Sequence, residues 1–397
     1  LNSSMSANGI SGLEFKRDRQ DAKLELAATN RAASGRRNIA DATQLPTRYG
    51  VASNDPDLIV DNPNPGGLIQ GRPWLIAVDF QLTMRTTGDD ETVTLPCEDD
   101  GVFNATIDWG DDTTSTITTF DDVDLSHVYA TAGDHAITIV GTFPNITFNN
   151  AGDKLKIISV ENLGFMGWTT MQAAFFGCSN MTSFIAGNTD TSAITGLVNA
   201  FNGCSGLTSM DLSNFDTSNV NNFGGTFRDC NSLTTLDLSN FNTSNVTSAA
   251  LMFAECTGLT SLNVSSFDTS NFSNMGAMFR NCSGLTTLDL SNFVTSSATS
   301  FTNMFSNCDG MTDIPGVENF NIEALNSTND LVNFAGGVTL SPARYDALLI
   351  NWDAQNPFDG MSPNFGNSTY TGGGTAAAAR ANLIATDGWT FTDGGIA

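Results

Sequence analysis

The sequence predicts a multidomain, mainly β protein with short helices, built around a solenoid, and three observations predict it. Cysteine stands at 178, 204, 230, 256, 282 and 308, each 26 residues after the last. Before this ladder, short alternating apolar runs are broken by Gly, Asp and Asn. After it, the register gives way to two stretches with helical spacing. A period of that length held over six copies requires one supersecondary unit, copied and stacked, because a single copy cannot bury both of its faces. Four parts follow: an extended N-terminal arm and Pro/Gly linker at 1–73, a β-sandwich at 74–153, a solenoid of about six 26-residue repeats at 154–325 and a small α+β cap at 326–397.

Charge narrows the function classes. The chain of 397 residues has a formal charge of -26, which argues against nucleic acid, whose phosphates are held by Lys and Arg. The first 48 residues hold eight of the sixteen basic residues against five acids, so this arm is about +3 and the remainder about -29. Such an arm reads either as a tail that docks onto something or as a solvated terminus. No apolar run approaches the roughly 18 residues of a spanning helix. No signal peptide is visible, and a start at Leu1 is compatible with the removal of one.

Taken in order, residues 13–33 carry a weak helical stripe of Leu13, Leu24, Ala27, Ala28 and Ala32, too thin to fold alone. Five prolines between 41 and 73, with Gly66, Gly67 and Gly71 among them, make an extended linker. At Trp74 alternation begins with Leu75, Ile76, Val78, Phe80, Leu82 and Met84, then Val93 and Leu95, Ile107 and Trp109, Ile137, Ile139 and Val140. These runs predict a small antiparallel sandwich. Its Asp108-Trp109-Gly110-Asp111-Asp112 turn, with His127, Tyr129 and Gly133 downstream, resembles the polycystic-kidney-disease-type (PKD) domain. Two positions depart from that family, Trp109 in place of Phe and Asp112 in place of Gly. The resemblance covers about 75 residues and implies a noncatalytic, immunoglobulin-like spacer or binding module.

In the repeats, a phenylalanine precedes each cysteine by three residues: Phe175, Phe201, Phe227, Phe253, Phe279 and Phe305. Met181, Leu207, Leu233, Leu259, Leu285 or Met311 follows three after it. The wording Leu-Thr-x-Leu-x-Leu-Ser-x-Phe fits the strand of a leucine-rich repeat. Val220, Phe223 and Phe227, or Phe272, Met275 and Phe279, have the spacing of a short return helix. The full phrase Cys-x-x-Leu-Thr-x-Leu-Asp-Leu-Ser-Asn-Phe-Asp-Thr-Ser-Asn-Val, recurring four times nearly verbatim, resembles the BspA-like leucine-rich-repeat surface proteins over residues 155 to about 325. That resemblance implies a displayed protein of adhesion and recognition. Beyond Phe320, Ser341 and Pro342 start a helix with Tyr345, Leu348, Leu349 and Trp352 on one face; a second helix runs from 375 to 385, and Trp389 and Phe391 fall on a final strand.

The chemistry is weighed on these columns. Flanked by apolar residues, Cys178, Cys204, Cys230, Cys256, Cys282 and Cys308 read as buried free thiols, and Cys97 has no partner in the pattern. No Cys-x-x-Cys spacing supports zinc. Asp211, Asp237, Asn263 and Asp289, flanked by Ser209, Thr235, Ser261 and Thr287, line the outward strand face. They form either a solvated face or a binding face for a protein or glycan surface ligand. The columns Asp216/Asp268, Thr217/Thr243/Thr269, Ser218/Ser244/Ser270 and Asn219/Asn245/Asn271 satisfy backbone groups in tight turns. Asp108, Asp111 and Asp112 offer oxygens to calcium, against a turn-forming role; no other cofactor is indicated. With two histidines, His127 and His135, and no nucleophile elbow, phosphate loop or metalloprotease motif, the chain is expected not to be an enzyme. Two functions are carried forward. One is a displayed extracellular, cell-surface or virion-surface recognition protein anchored by its arm. The other is a structural subunit, a virion fibre, decoration protein or surface filament, whose residues 1–70 contact neighbouring subunits.

Overall fold

The structure is a computed structural model that describes residues 79–397, so the arm, the linker and the alternation at Trp74–Val78 lie outside the described residues. The described chain is mainly β with a few short helices and no closed barrel.

The region where the sandwich is expected is built from β1 (Phe80–Thr86), β2 (Glu91–Thr94), β3 (Asn104–Asp108), β4 (Thr114–Ile117), β5 (Ser126–Tyr129) and β6 (Gly133–Thr142). Alternation sends Phe80, Leu82 and Met84 of β1 inward. β1 pairs antiparallel with β6 on one side and with β7 (Ile157–Asn162) on the other. β7 then pairs parallel with β8 (Ser183–Ile185), and β8 with β9 (Ser209–Asp211). One sheet, ordered β4-β3-β6-β1-β7-β8-β9, therefore passes from this region into the repeats without a break, and β2 and β5 pair antiparallel in a separate two-stranded sheet whose Val93 and Tyr129 join the same core. A single apolar cluster runs from Phe80 to Trp389.

Beyond β9 the layers keep their 26-residue register through backbone bonds such as Thr260 N–H to Thr234 O at 3.1 Å and Phe253 N–H to Met278 O at 2.9 Å. Continuous strand pairing thins to isolated bridges, Asn222↔Ser248↔Asn274↔Ser300 among them. The phenylalanine column is an unbroken stack from Phe175 to Phe305, with successive ring centroids 5.6, 5.8, 5.8, 5.7 and 5.6 Å apart. It ends on Phe148, tilted, at one end and on Phe334, edge-on, at the other.

The return segment differs from the expected helix. Five residues before each cysteine the backbone is left-handed, at Ala173, Asn199, Gly225, Leu251, Ala277 and Asn303, and it is left-handed again one residue before, at Gly177, Gly203, Asp229, Glu255, Asn281 and Asn307. An α-helix admits no such residues in its interior. The segment is instead a chain of tight turns closed by bonds such as Thr226 N–H to Phe223 O, 3.1 Å, and Cys230 N–H to Phe227 O, 3.3 Å.

The sequence register is lost after Phe320, yet the layers continue. Asn307 N–H donates to Gly336 O and Ala335 N–H to Asn364 O, bonds of the same kind as Asn281 N–H to Ser306 O inside the repeats but spanning four residues more, so Val338 and Ser368 take the place of the cysteine. Over these layers lie α1 (Pro342–Asp353), capped by Ser341 with Tyr345, Leu348, Leu349 and Trp352 buried, and α2 (Thr375–Ala385). Trp389 is buried, but the expected strand through it and Phe391 is not formed; the terminal pairing is β10 (Thr369–Tyr370) with β11 (Gly395–Ile396). Asp393, its side chain 4% exposed, holds this end by accepting from Tyr345 Oη at 2.7 Å and Arg380 Nε at 2.9 Å.

Candidate functional site

Three sets of columns surround the core. The innermost is sulfur. All seven cysteines are free, and the six in register are buried. From Cys204 onward each thiol donates to the carbonyl of the phenylalanine 29 residues earlier: Cys204 to Phe175 at 3.0 Å, Cys230 to Phe201 at 3.3 Å, Cys256 to Phe227 at 3.0 Å, Cys282 to Phe253 at 3.0 Å and Cys308 to Phe279 at 2.9 Å. Burial pushes the Cys256 and Cys308 thiols up to about 12, and Cys97 likewise. These thiols are layer-to-layer donors, held in the unreactive form.

The second set is the turn ladder. Thr191, Thr217, Thr243 and Thr269 are buried, and each hydroxyl both donates to and accepts from the backbone of a residue one layer on: Asp216, Asn242, Asp268 and Val294. Asn219, Asn245 and Asn271 donate their amides to Ser192, Ser218 and Ser244 carbonyls. Satisfying each buried backbone group from the neighbouring layer is what the parallel columns accomplish.

The third set is the outward face. Ser209, Asp211, Thr235, Asp237, Ser261, Asn263, Thr287 and Asp289 are all exposed, as the register requires. Each of Asp211, Asp237, Asn263 and Asp289 accepts the backbone N–H two residues ahead, at 3.0, 3.0, 3.0 and 2.9 Å. That bond to Ser239 holds the Asp237 carboxyl below its ordinary range, and the bonds from Ser291 do so for Asp289. The column thus closes turns and retains acceptor capacity toward solvent. A fourth column, Thr182, Thr208, Thr234, Thr260, Thr286 and Thr312, is exposed beside it.

In the sandwich the carboxylates are engaged locally. Asp108 accepts Gly110 N–H at 2.9 Å; Asp111 takes the Thr113 hydroxyl at 2.6 Å and His127 Nε2 at 2.7 Å. Asp112 is left-handed, φ 69°, which accounts for a glycine preference at that place. Among the described residues no group of three or more His, Cys, Asp or Glu side chains that could hold a metal ion is found, and the contacts of Asp108 and Asp111 are those of a closed turn. His127 stacks on Trp109 at 5.0 Å and His135 on Tyr129 at 3.5 Å, while Tyr129 Oη donates to Trp109 O at 2.8 Å. Both histidines are absorbed by this cluster. Sequence reasoning missed the two left-handed columns, whose signal was Asn, Gly and Asp recurring at those positions, and missed Phe165, which stands 26 residues before Thr191.

The repeats resemble a known family. Residues 169–263 and 259–340 match the family described as Mycoplasma protein of unknown function, DUF285, which is less than half of the chain. A solved structure of a leucine rich cell surface protein from Faecalibacterium prausnitzii A2-165 is similar at 13% identity, covering 71% of this chain and 97% of that chain with a TM-score of 0.27. No curated protein matches the sequence. Among the described residues no helix is long and apolar enough to cross a membrane.

Proposed function

We propose that the chain is a noncatalytic, displayed surface protein of BspA-like leucine-rich-repeat type that recognises a protein or glycan partner through the outward face of its solenoid. The observation that carries this reading is that face itself. Exposed Ser/Thr and Asp/Asn columns repeat layer after layer, beside buried columns that bond the backbone of the neighbouring layer. Regularly spaced acceptors on a rigid support suit a partner extended along the stack, and rigidity limits the ordering penalty of binding. The PKD-like, immunoglobulin-like sandwich heads the stack, and the N-terminal arm anchors the chain; contact of residues 1–70 with neighbouring subunits belongs to the structural-subunit reading. The site for a partner lies outside the cell or on a particle surface. Replacing Asp211, Asp237 and Asp289 together by alanine abolishes attachment to target cells or particles in a binding assay; unchanged attachment of a folded variant removes the face from the function.

The structural-subunit reading draws on the continuous apolar core from Phe80 to Trp389. Deleting residues 1–70 separates the two: assembly and display that persist without them exclude a structural role for the arm.

A further inference from the structure

We propose that a shallow cleft at the head of the stack, walled by Phe165 and Asp190, binds a neutral pyranose sugar. The cleft is about 290 Å³ and is lined by Phe165, Gly167, Trp168, Asp190, Ser192 and Ala193. It arises from a break in the turn ladder. Asp190-Thr191-Ser192 is the first rung, and downstream rungs Asp216-Thr217-Ser218, Asn242-Thr243-Ser244 and Asp268-Thr269-Ser270 each have another such rung 26 residues before them. Behind Asp190 the same register reads Gly164, Phe165 and Met166. An aromatic ring and a methionine stand where threonine and serine would, and the first rung faces that loop instead of a polar neighbour.

The wall is preformed. Gly164 and Gly167 bend the loop with φ of 65° and 76°. Phe143 N–H donates to Met166 O at 2.9 Å, Leu163 N–H to Ala186 O at 3.1 Å and the Thr189 hydroxyl to Gly164 O at 2.8 Å. The Trp168 indole donates to Leu163 O at 3.2 Å and packs edge-on against Phe80. Little ordering remains to be done on binding.

Its chemistry is that of a sugar subsite. A pyranose presents an apolar C–H face and a rim of hydroxyls that donate and accept. Phe165, half-buried, offers the ring for that face. Asp190 Oδ1 accepts both the backbone N–H of Ser192, 3.0 Å, and its hydroxyl, 2.6 Å. The serine proton is therefore committed, its oxygen is an acceptor for a sugar hydroxyl, and the carboxylate keeps further acceptor capacity. The rim carboxylate and a chain charge of -26 disfavour uronates, sialylated glycans and phosphates. The volume lies at the lower edge of the roughly 300–1,000 Å³ range of small-molecule sites, which fits one ring at a chain end or branch.

This site is independent of the solenoid face. The test is saturation-transfer NMR and calorimetry of the full chain against methyl glycosides of glucose, galactose, mannose and N-acetylglucosamine, with choline as a cationic control. One or more glycosides bind in the millimolar range; Phe165→Ala and Asp190→Ala each weaken that binding by about tenfold or more, Phe165→Trp preserves it, and Asp237→Ala leaves it unchanged. Unchanged thermal unfolding of each variant keeps loss of binding distinct from loss of fold. The proposal is overturned if no glycoside binds, if binding survives both alanine substitutions, or if choline binds in preference to every sugar. Sugar binding that persists in the triple-aspartate face variant, alongside lost attachment, keeps the two sites separate.

Discussion

The sandwich and the stack solve the same problem in different ways. In the sandwich, backbone ladders between strands far apart in sequence carry the polar pairing, and β1 is bonded along its length to β6 and β7 at once. In the stack, continuous strand pairing thins after β9, and side-chain columns join the remaining layer-to-layer backbone bonds: thiols, threonines and asparagines reach one layer away to backbone groups. The difference teaches that a defect in the sandwich is shared across the sheet, whereas a defect in the stack is confined to the layers that touch it.

The largest expected effect breaks or sharpens that contrast directly. Phe227→Ala opens the centre of the ring column and destabilises by about 3–5 kcal/mol. In hydrogen exchange the loss of protection is centred on the layers around 201, 227 and 253, while β1 and β6 stay protected. Phe80→Ala, of similar magnitude, spreads loss through β6, β7 and the first repeats; identical footprints for the two variants would refute the confinement. Next in size, Thr243→Val replaces a hydroxyl, 1% exposed, that both donates to Asp268 O at 3.0 Å and accepts Asp268 N–H at 2.8 Å. Leaving these groups unpaired destabilises by about 1–3 kcal/mol, with Thr243→Ser closer to the parent in denaturant titration. Equal midpoints for Val and Ser would mean that the column is packing alone.

The smallest effect is a pH window. Both histidines are in the sandwich, and burial lowers the His135 pKa below its ordinary value, opposed by Asp111 and Asp134. The folded state prefers neutral imidazole, so its stabilising contribution is complete above about 6.5 and is lost as pH falls from there through the folded value. Exchange measured at pH 7.5 and 5.5, corrected for intrinsic rates, loosens β1, β5 and β6 and spares the layers from 204 to 308. A uniform change across both regions sinks this reading.

Legibility followed periodicity. A column repeated in register announces its own place, so the six-fold sulfur and phenylalanine columns and the four-fold outward Asp/Asn column are readable from spacing. The capped α1 helix, with Ser341 and Pro342 at its start, was equally plain. The return helix was misread because tight turns place apolar residues three and four apart, as a helix does; only the Asn, Gly and Asp recurring at left-handed positions could have distinguished them. The junction was hidden for another reason. Asn150 N–H donates to Phe176 O and Phe148 N–H to Ala174 O, so a layer forms before the cysteine ladder starts, in sequence that carries no copy of the repeat. The cleft beside Phe165 belongs to that same unrepeated stretch, where a pattern search has nothing to compare.

The layer-to-layer bonds of the turn ladder also bear on how such a chain changes length. Thr217 meets Asn242 as Thr243 meets Asp268, so every interior layer presents the same donors and acceptors above and below. Duplicating or deleting one whole 26-residue unit by recombination joins matching surfaces and strands no polar group, while a shift of a few residues within a layer strands several. Copy number is accordingly the cheap evolutionary variable of this molecule, and the Phe148 and Phe334 ends, which have no counterpart to recombine with, are its fixed points.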